Sequence, residues 1–141
     1  MGKTKVLFIC IHNSARSQMA EALLNHLAGE KFEAQSAGLE EGTLNPFAIA
    51  VMHEIGIDIS GNKSKSVFDF FKRGEIFNYA ITVCDEGNSE RCPIFPGVTH
   101  RILWSILDPS IFTGTHEEKL DKTRKVRDEI KANIEQFILT N

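Results

Sequence analysis

Apolar residues fall along this chain in short unbroken runs, and between the runs they recur every three or four positions. The run at 4–9 (TKVLFI) is apolar and strand-like, and from Ser14 onward Ala20, Leu23, Leu24 and Leu27 return at helical spacing until Gly29. This predicts a strand, a loop and a helix. FEAQSA at 32–37 predicts a second strand. In the turn-rich LEEGTLNP that follows, Asn45 is placed to cap a helix and Pro46 to open it, with Ala48, Val51, Met52 and Ile55 along one side. The stretch 61–66 is polar and turn-like, VFDFFK at 67–72 predicts a short helix ending at Gly74, and YAITVC at 79–84 is the most strand-like run of all. THRILWS at 99–105 predicts a fourth strand. The last helix opens on Thr115-His-Glu-Glu118, a capping box, and carries Val126, Ile130, Ile134, Phe137 and Ile138 on one face.

Strands that alternate with helices, and are too apolar to be half exposed, imply a parallel sheet covered on both faces. The expected fold is therefore α/β: a three-layer α/β/α arrangement around a four-stranded parallel sheet. At 141 residues, 42% hydrophobic and 25% charged, the chain suits one domain spanning 1–141. Sixteen Lys and Arg against nineteen Asp and Glu give a net charge of −3, which offers no general basic field for a nucleic-acid backbone or an acidic membrane. Any bound anion must be held by a local device. The apolar start is interrupted by His12 and Asn13, Val6 stands where a myristoylation signal needs Ser or Thr, and no run approaches membrane-spanning length. Three cysteines, an odd number, argue against a structural disulfide framework. A cytoplasmic, monomeric protein is expected, with Cys10, Cys84 and Cys92 either filling the core or doing chemistry.

In open parallel sheets ligands bind outside the carboxyl ends of the strands, and Cys10 stands at such an end. Cys10-Ile11-His12-Asn13-Ser14-Ala15-Arg16-Ser17 is Cys-x5-Arg-Ser between a strand and a helix. The loop N–H groups, added to the positive end of the helix, form a concave nest for a tetrahedral oxyanion, and Arg16 brings a planar fork for two of its oxygens. The same field favours a thiolate over a thiol at Cys10, and the Ser17 hydroxyl can donate to it. The spacing alone is weak, since chance produces it; the preceding strand, the following serine and the helix start give it weight. Cys84 ends a strand and so falls at the same sheet edge. Cys92 lies in a polar loop, and without further information both fit core or incidental roles, or, with His100, a zinc site whose spacing matches no common pattern. Pro109 restricts Asp108 to an extended conformation beyond the fourth strand, where it either forms a simple turn or aims its carboxyl over the anion site.

CIHNSARSQMAEALL resembles the phosphate loop of the low-molecular-weight protein tyrosine phosphatase fold, and 14–21 resembles its thioredoxin-coupled arsenate reductase branch most. The likeness continues through SAGL at 36–39, NPFA at 45–48, IDIS at 57–60, ITVCDEGNSERCPIFPG at 81–97 and VRDEIKANIEQFI at 126–138. What the resemblance implies is an enzyme that reduces arsenate to arsenite. Residues 11–17 bind the anion, for which phosphate or sulfate are mimics, and Cys10, Arg16, Ser17 and Asp108 are catalytic. Cys84 and Cys92 complete a thiol–disulfide relay emptied by thioredoxin. It further implies Asp108 as the general acid. Some relatives hold a potassium ion at positions matching Asn13, Glu21, Ser36 and an aspartate where this chain has Lys65; an ammonium there pairs with Glu21 instead, so no metal or bound cofactor is expected. Two alternatives remain at this level. One is a tyrosine or aryl phosphatase using Cys10 and Asp108, disfavoured because Ser110, Ile111 and Phe112 stand where such enzymes carry tyrosines; the other is a non-catalytic anion-binding or redox-sensing module.

Overall fold

The computed structural model describes residues 2–40, 42–85 and 100–141. In chain order the elements are β1 (Thr4–Cys10), α1 (Arg16–Ala28), β2 (Phe32–Gly38), α2 (Pro46–His53), α3 (Val67–Lys72), β3 (Tyr79–Cys84), β4 (His100–Ser105), a 3-10 turn (Pro109–Ile111) and α4 (His116–Thr140). The four strands form one sheet in the order β2-β1-β3-β4, every pair parallel. β1 therefore sits inside, flanked on both edges. Its five residues from Val6 to Cys10 are buried on both faces, which is why the run reads as continuously apolar rather than alternating.

Alternation along the strands divides the core in two. Val6, Phe8, Ile81 and Val83 face a thick layer made by Met19, Leu23 and Leu24 of α1, Val51 and Met52 of α2, and Val126, Ile130, Ile134 and Phe137 of α4. Leu7, Ile9 and Ala80 face a thin layer of Val67 and Phe70 from α3 together with Phe77. The three-layer α/β/α arrangement with a four-stranded parallel sheet is thus present, with unequal layers.

The local signals act as their chemistry requires. Asn45 caps α2 by accepting from the N–H groups of Phe47 and Ala48, with Pro46 at the first helical position. The Thr115 hydroxyl accepts from the Glu118 N–H while the Glu118 carboxylate accepts from the Thr115 N–H, which completes the capping box of α4. Gly74, at φ +69°, ends α3. Two expectations need correction. Leu27 belongs to the helical spacing of α1 but is 38% exposed; Met19 takes the buried place, because the thick layer covers the side of α1 that faces the sheet and α4. β4, expected to be too apolar for partial exposure, is largely exposed, whereas β2, the other edge strand, is mostly buried. Among the described residues no helix is long and apolar enough to cross a membrane.

Candidate active site

β1 delivers Cys10 to the carboxyl edge of the sheet, and the chain then crosses to α1 through Ile11, His12, Asn13, Ser14 and Ala15. The carbonyls of this loop are taken in succession by donors outside it. Cys10 O accepts from Leu39 N–H (3.2 Å), Ile11 O from Glu40 N–H (2.8 Å), Ser14 O from Asn45 N–H (2.8 Å) and Ala15 O from Met19 N–H (2.9 Å). His12 O accepts from the Ser64 hydroxyl at 2.9 Å, and Asn13 O from Gln18 Nε2 at 3.3 Å. With six consecutive carbonyls turned outward, the loop presents its N–H edges toward the concavity between Cys10 and the start of α1. Ala15 occupies the N-cap of α1, and no side chain caps that helix. A helix start left this way keeps its positive end available to an anion. α1 begins at Arg16, slightly later than Ser14 suggests, because the residues before it are spent on the loop.

Cys10 is 2% exposed and is a free thiol. Its Sγ is 2.8 Å from Ser17 Oγ and accepts from the Asn13 N–H at 3.2 Å. Asn13, fully buried, is the one non-glycine residue with positive φ (52°) among the described residues, a conformation Asn tolerates better than other side chains. Its Nδ2 donates to Ser17 Oγ at 2.7 Å, and its Oδ1 accepts from the Lys65 N–H at 2.9 Å. Arg16 is 2% exposed; Nη1 donates to Ile106 O at 3.0 Å and Nη2 lies 3.5 Å from Asp108 Oδ2. Asp108 is extended (φ −81°, ψ 117°) and its other oxygen caps the 3-10 turn by accepting from the Ser110 N–H. The same carboxylate therefore acts as a turn cap and faces the anion loop. His12 is the peripheral member of the loop, its half-exposed ring 3.8 Å from Glu40.

Cys84 is fully buried at the end of β3 and is disulfide-bonded in this structure. Its carbonyl accepts from Ile106 N–H at 3.1 Å, so Ile106 links the end of β3 to Arg16. The register sets Ile9 opposite Thr82, so Cys10 and Cys84 share the sheet edge but fall on opposite faces by alternation. Cys92 lies outside the described residues. Lys65 Nζ is 3.0 Å from Glu21 Oε1, which also accepts from the Ser36 hydroxyl at 2.9 Å. A carboxylate already holding an ammonium is a poor ligand for a potassium ion, so these residues do not fit that cation.

Several contributors escaped the sequence reading as site residues. A Cβ built on Gly38 would stand 2.8 Å from Asn13 N and from His12 C, and one on Gly42 2.9 Å from His12 O. Both glycines let neighbouring backbone lie against the loop. Ser64 and Gln18 take loop carbonyls, and only the glycine in SAGL carried a signal in the sequence.

Residues 5–140 match the family model described as low molecular weight phosphotyrosine protein phosphatase. The chain is 38% identical over 141 residues to an arsenate reductase of Shouchella clausii (strain KSM-K16), covering 99% of each. Among solved structures it is similar to an arsenate reductase in the phosphate-binding state, with 33% identity, a TM-score of 0.80 and coverage of 97% of this chain and 98% of the other. It is also similar to a thioredoxin-dependent arsenate reductase of Corynebacterium glutamicum, at 31% identity and a TM-score of 0.62 over 95% of this chain and 63% of the other.

Proposed function

Because the chain belongs to the low molecular weight phosphotyrosine protein phosphatase family, we propose that it reduces arsenate to arsenite by a three-cysteine relay that thioredoxin resets. The observation that carries this reading is the anion loop itself, in which a buried free thiol with two hydrogen-bond partners faces an uncapped helix start beside Arg16 and Asp108. Arsenate has the charge and tetrahedral shape that such a nest accepts.

The Cys10 thiolate attacks arsenic, Asp108 protonates one arsenate oxygen, and that oxygen leaves as water to give a Cys10–arsenic adduct. Arg16 and the loop N–H groups hold the remaining oxygens through this step. The Cys84 thiolate then attacks Cys10 Sγ; the electron pair of the S–As bond passes to arsenic, which departs as arsenite, and a Cys10–Cys84 disulfide forms. Two thiols have supplied the two electrons. Cys92 attacks Cys84, which frees the Cys10 thiolate, and the Cys84–Cys92 disulfide is reduced by the dithiol of thioredoxin. With Cys84 disulfide-bonded it lies by strand alternation on the opposite face of the sheet from Cys10, so in this reading the end of β3 holds a different geometry when the Cys84 thiolate attacks Cys10. The pairing of Cys10 as a free thiol with a disulfide-bonded Cys84 is the state expected once Cys10 has been regenerated. In this reading the Lys65 ammonium supplies the positive charge beside Glu21 in place of a metal ion, and added potassium should leave turnover unchanged.

The deciding experiment follows arsenate-dependent NADPH oxidation with thioredoxin and thioredoxin reductase, beside hydrolysis of an aryl phosphate by the same protein. Sustained arsenate turnover is expected, with Cys92→Ser limited to one turnover. Strong aryl phosphate hydrolysis without arsenate turnover would reverse the assignment, and sustained turnover by Cys92→Ser would remove the relay.

A further inference from the structure

Gln18, on the first turn of α1, is fully buried. Its Nε2 meets three acceptors: Asn13 Oδ1 at 3.0 Å, Asn13 O at 3.3 Å and Lys63 O at 3.0 Å. Its Oε1 accepts from Asn62 Nδ2 at 3.1 Å. Two of the three acceptors are backbone carbonyls, which never donate, so the orientation of this amide is determined: turning it over would press Oε1 against both.

At Asn13 that donor is joined by a second one. A donor from Gln18 and the Lys65 N–H both converge on one atom of the Asn13 amide, which must therefore be its oxygen. Asn13 Nδ2 is then the atom that faces Ser17, and Ser17 Oγ accepts from it at 2.7 Å. With an acceptor site of Ser17 so occupied, its proton is directed to the remaining neighbour, Cys10 Sγ, at 2.8 Å. Were the Asn13 amide reversed, Ser17 would donate to Asn13 and the sulfur would lose that donor.

We propose that Gln18 is a positioning residue that, together with the Lys65 N–H, holds the direction of the hydrogen bonds Asn13→Ser17→Cys10, so that the nucleophile receives a proton donor rather than an acceptor. The inference rests on the reading of Cys10 as the reactive thiol and on no property of arsenate. The charged and titratable groups around the loop pair with one another, Arg16 with Asp108, Glu21 with Lys65 and His12 with Glu40, whereas the Gln18 amide meets only Asn13, Lys63 and Asn62.

The test compares Gln18→Glu, which sets a carboxylate against three acceptors and favours the reversed Asn13 amide, with Gln18→Leu, which removes the donor and adds no charge. Alkylation of Cys10 by iodoacetamide is measured at pH 6.5 and pH 9.5, assigned by peptide mass, in full-length reduced protein whose folding is checked by thermal unfolding. The ratio of the two rates reports thiolate stabilisation and is insensitive to a general loosening that raises both. Gln18→Glu should lower the near-neutral rate relative to the alkaline one by about fivefold, the worth of one hydrogen bond, and Gln18→Leu by about threefold. In a Ser17→Ala background Gln18→Leu, which adds no charge, should lower the ratio no further, because the path to sulfur is already cut. An unchanged ratio in Gln18→Leu, or a loss there that adds to that of Ser17→Ala, would overturn the proposal. Arsenate turnover by the wild-type protein is read separately, so failure of the functional reading leaves this result interpretable.

Discussion

Gly38 closes β2 directly beneath the anion loop, and replacing it by alanine tests whether loop geometry depends on that contact. Gly38 pairs with Cys10 in the sheet, and its N–H donates to Lys65 O at 2.7 Å. It is therefore held from both sides and cannot retreat. A Cβ there would lie 2.8 Å from Asn13 N and His12 C and 2.9 Å from Ile11 O, against an ordinary contact of 3.4 Å or more. All three are backbone atoms, so no side chain can swing away; the loop itself must move by about half an ångström. Overpacking of this kind costs about 1–3 kcal/mol. Opposing it, loss of glycine freedom in the unfolded chain stabilises by about 0.4–1 kcal/mol where the backbone is compatible. The steric term wins, leaving Gly38→Ala about 1–2 kcal/mol less stable, a fall of roughly 3–8 °C in Tm for a chain of this size. Displacing the loop N–H groups from the oxyanion should lower kcat by about tenfold or more. Thermal unfolding and thioredoxin-coupled turnover measure the two effects, with Gly61→Ala as the control. A Cβ at Gly61 meets nothing within 4 Å, so stability there should stay within about 0.5 kcal/mol. Wild-type Tm and turnover in Gly38→Ala would refute the argument.

Three further outcomes are expected. Asn13→Ala places a β-carbon at φ 52° and strips the donors and acceptors that reach Ser17, Lys65 and Gln18, while Asn13→Gly loses the same bonds without the backbone cost; in chemical denaturation the glycine variant should be the more stable by about 1 kcal/mol. Asp108→Asn keeps an acceptor for the Ser110 N–H but removes the proton; turnover should fall about 10²-fold or more while binding of phosphate, read by calorimetry, survives. Hydrogen bonds from Arg124, with help from Arg127 and against some desolvation, hold Glu54 down to about 2 from 4.5 and tie α2 to α4. A carboxylate depressed in the folded state adds stability that is complete above about pH 4.5 and lost as pH falls through about 2. Because Glu54 is 35% exposed, solvent screening holds this to about 1 kcal/mol, and Glu54→Gln should flatten the acid limb of the stability curve by that amount. An unaltered acid limb would show that the clamp is energetically silent.

Much of the machinery was legible in the sequence because it is local. Cys10, Arg16 and Ser17 share one loop and one helical turn, so their spacing brings them together wherever that strand and helix form. Asn45-Pro46 and the Thr115–Glu118 box act within a few residues, and the paired apolar runs announce a buried parallel sheet. Pro109 fixes the backbone of Asp108 for the same local reason. What this could not show is which distant groups meet. Ile106 accepts from Arg16 across 90 positions, and Asp108 reaches the loop only because β4 takes the place beside β3. Ser64 and Gln18 look ordinary in sequence and Gly38 shows only as the glycine of SAGL, since their importance comes from backbone that folds against them from elsewhere. The opposite facing of Cys10 and Cys84 depends on the β1–β3 register, which a shift of one residue would reverse. Periodicity and capping are short-range and written into neighbouring residues; strand order, register and the direction of a buried hydrogen-bond chain are set by packing, which only the assembled tertiary structure decides.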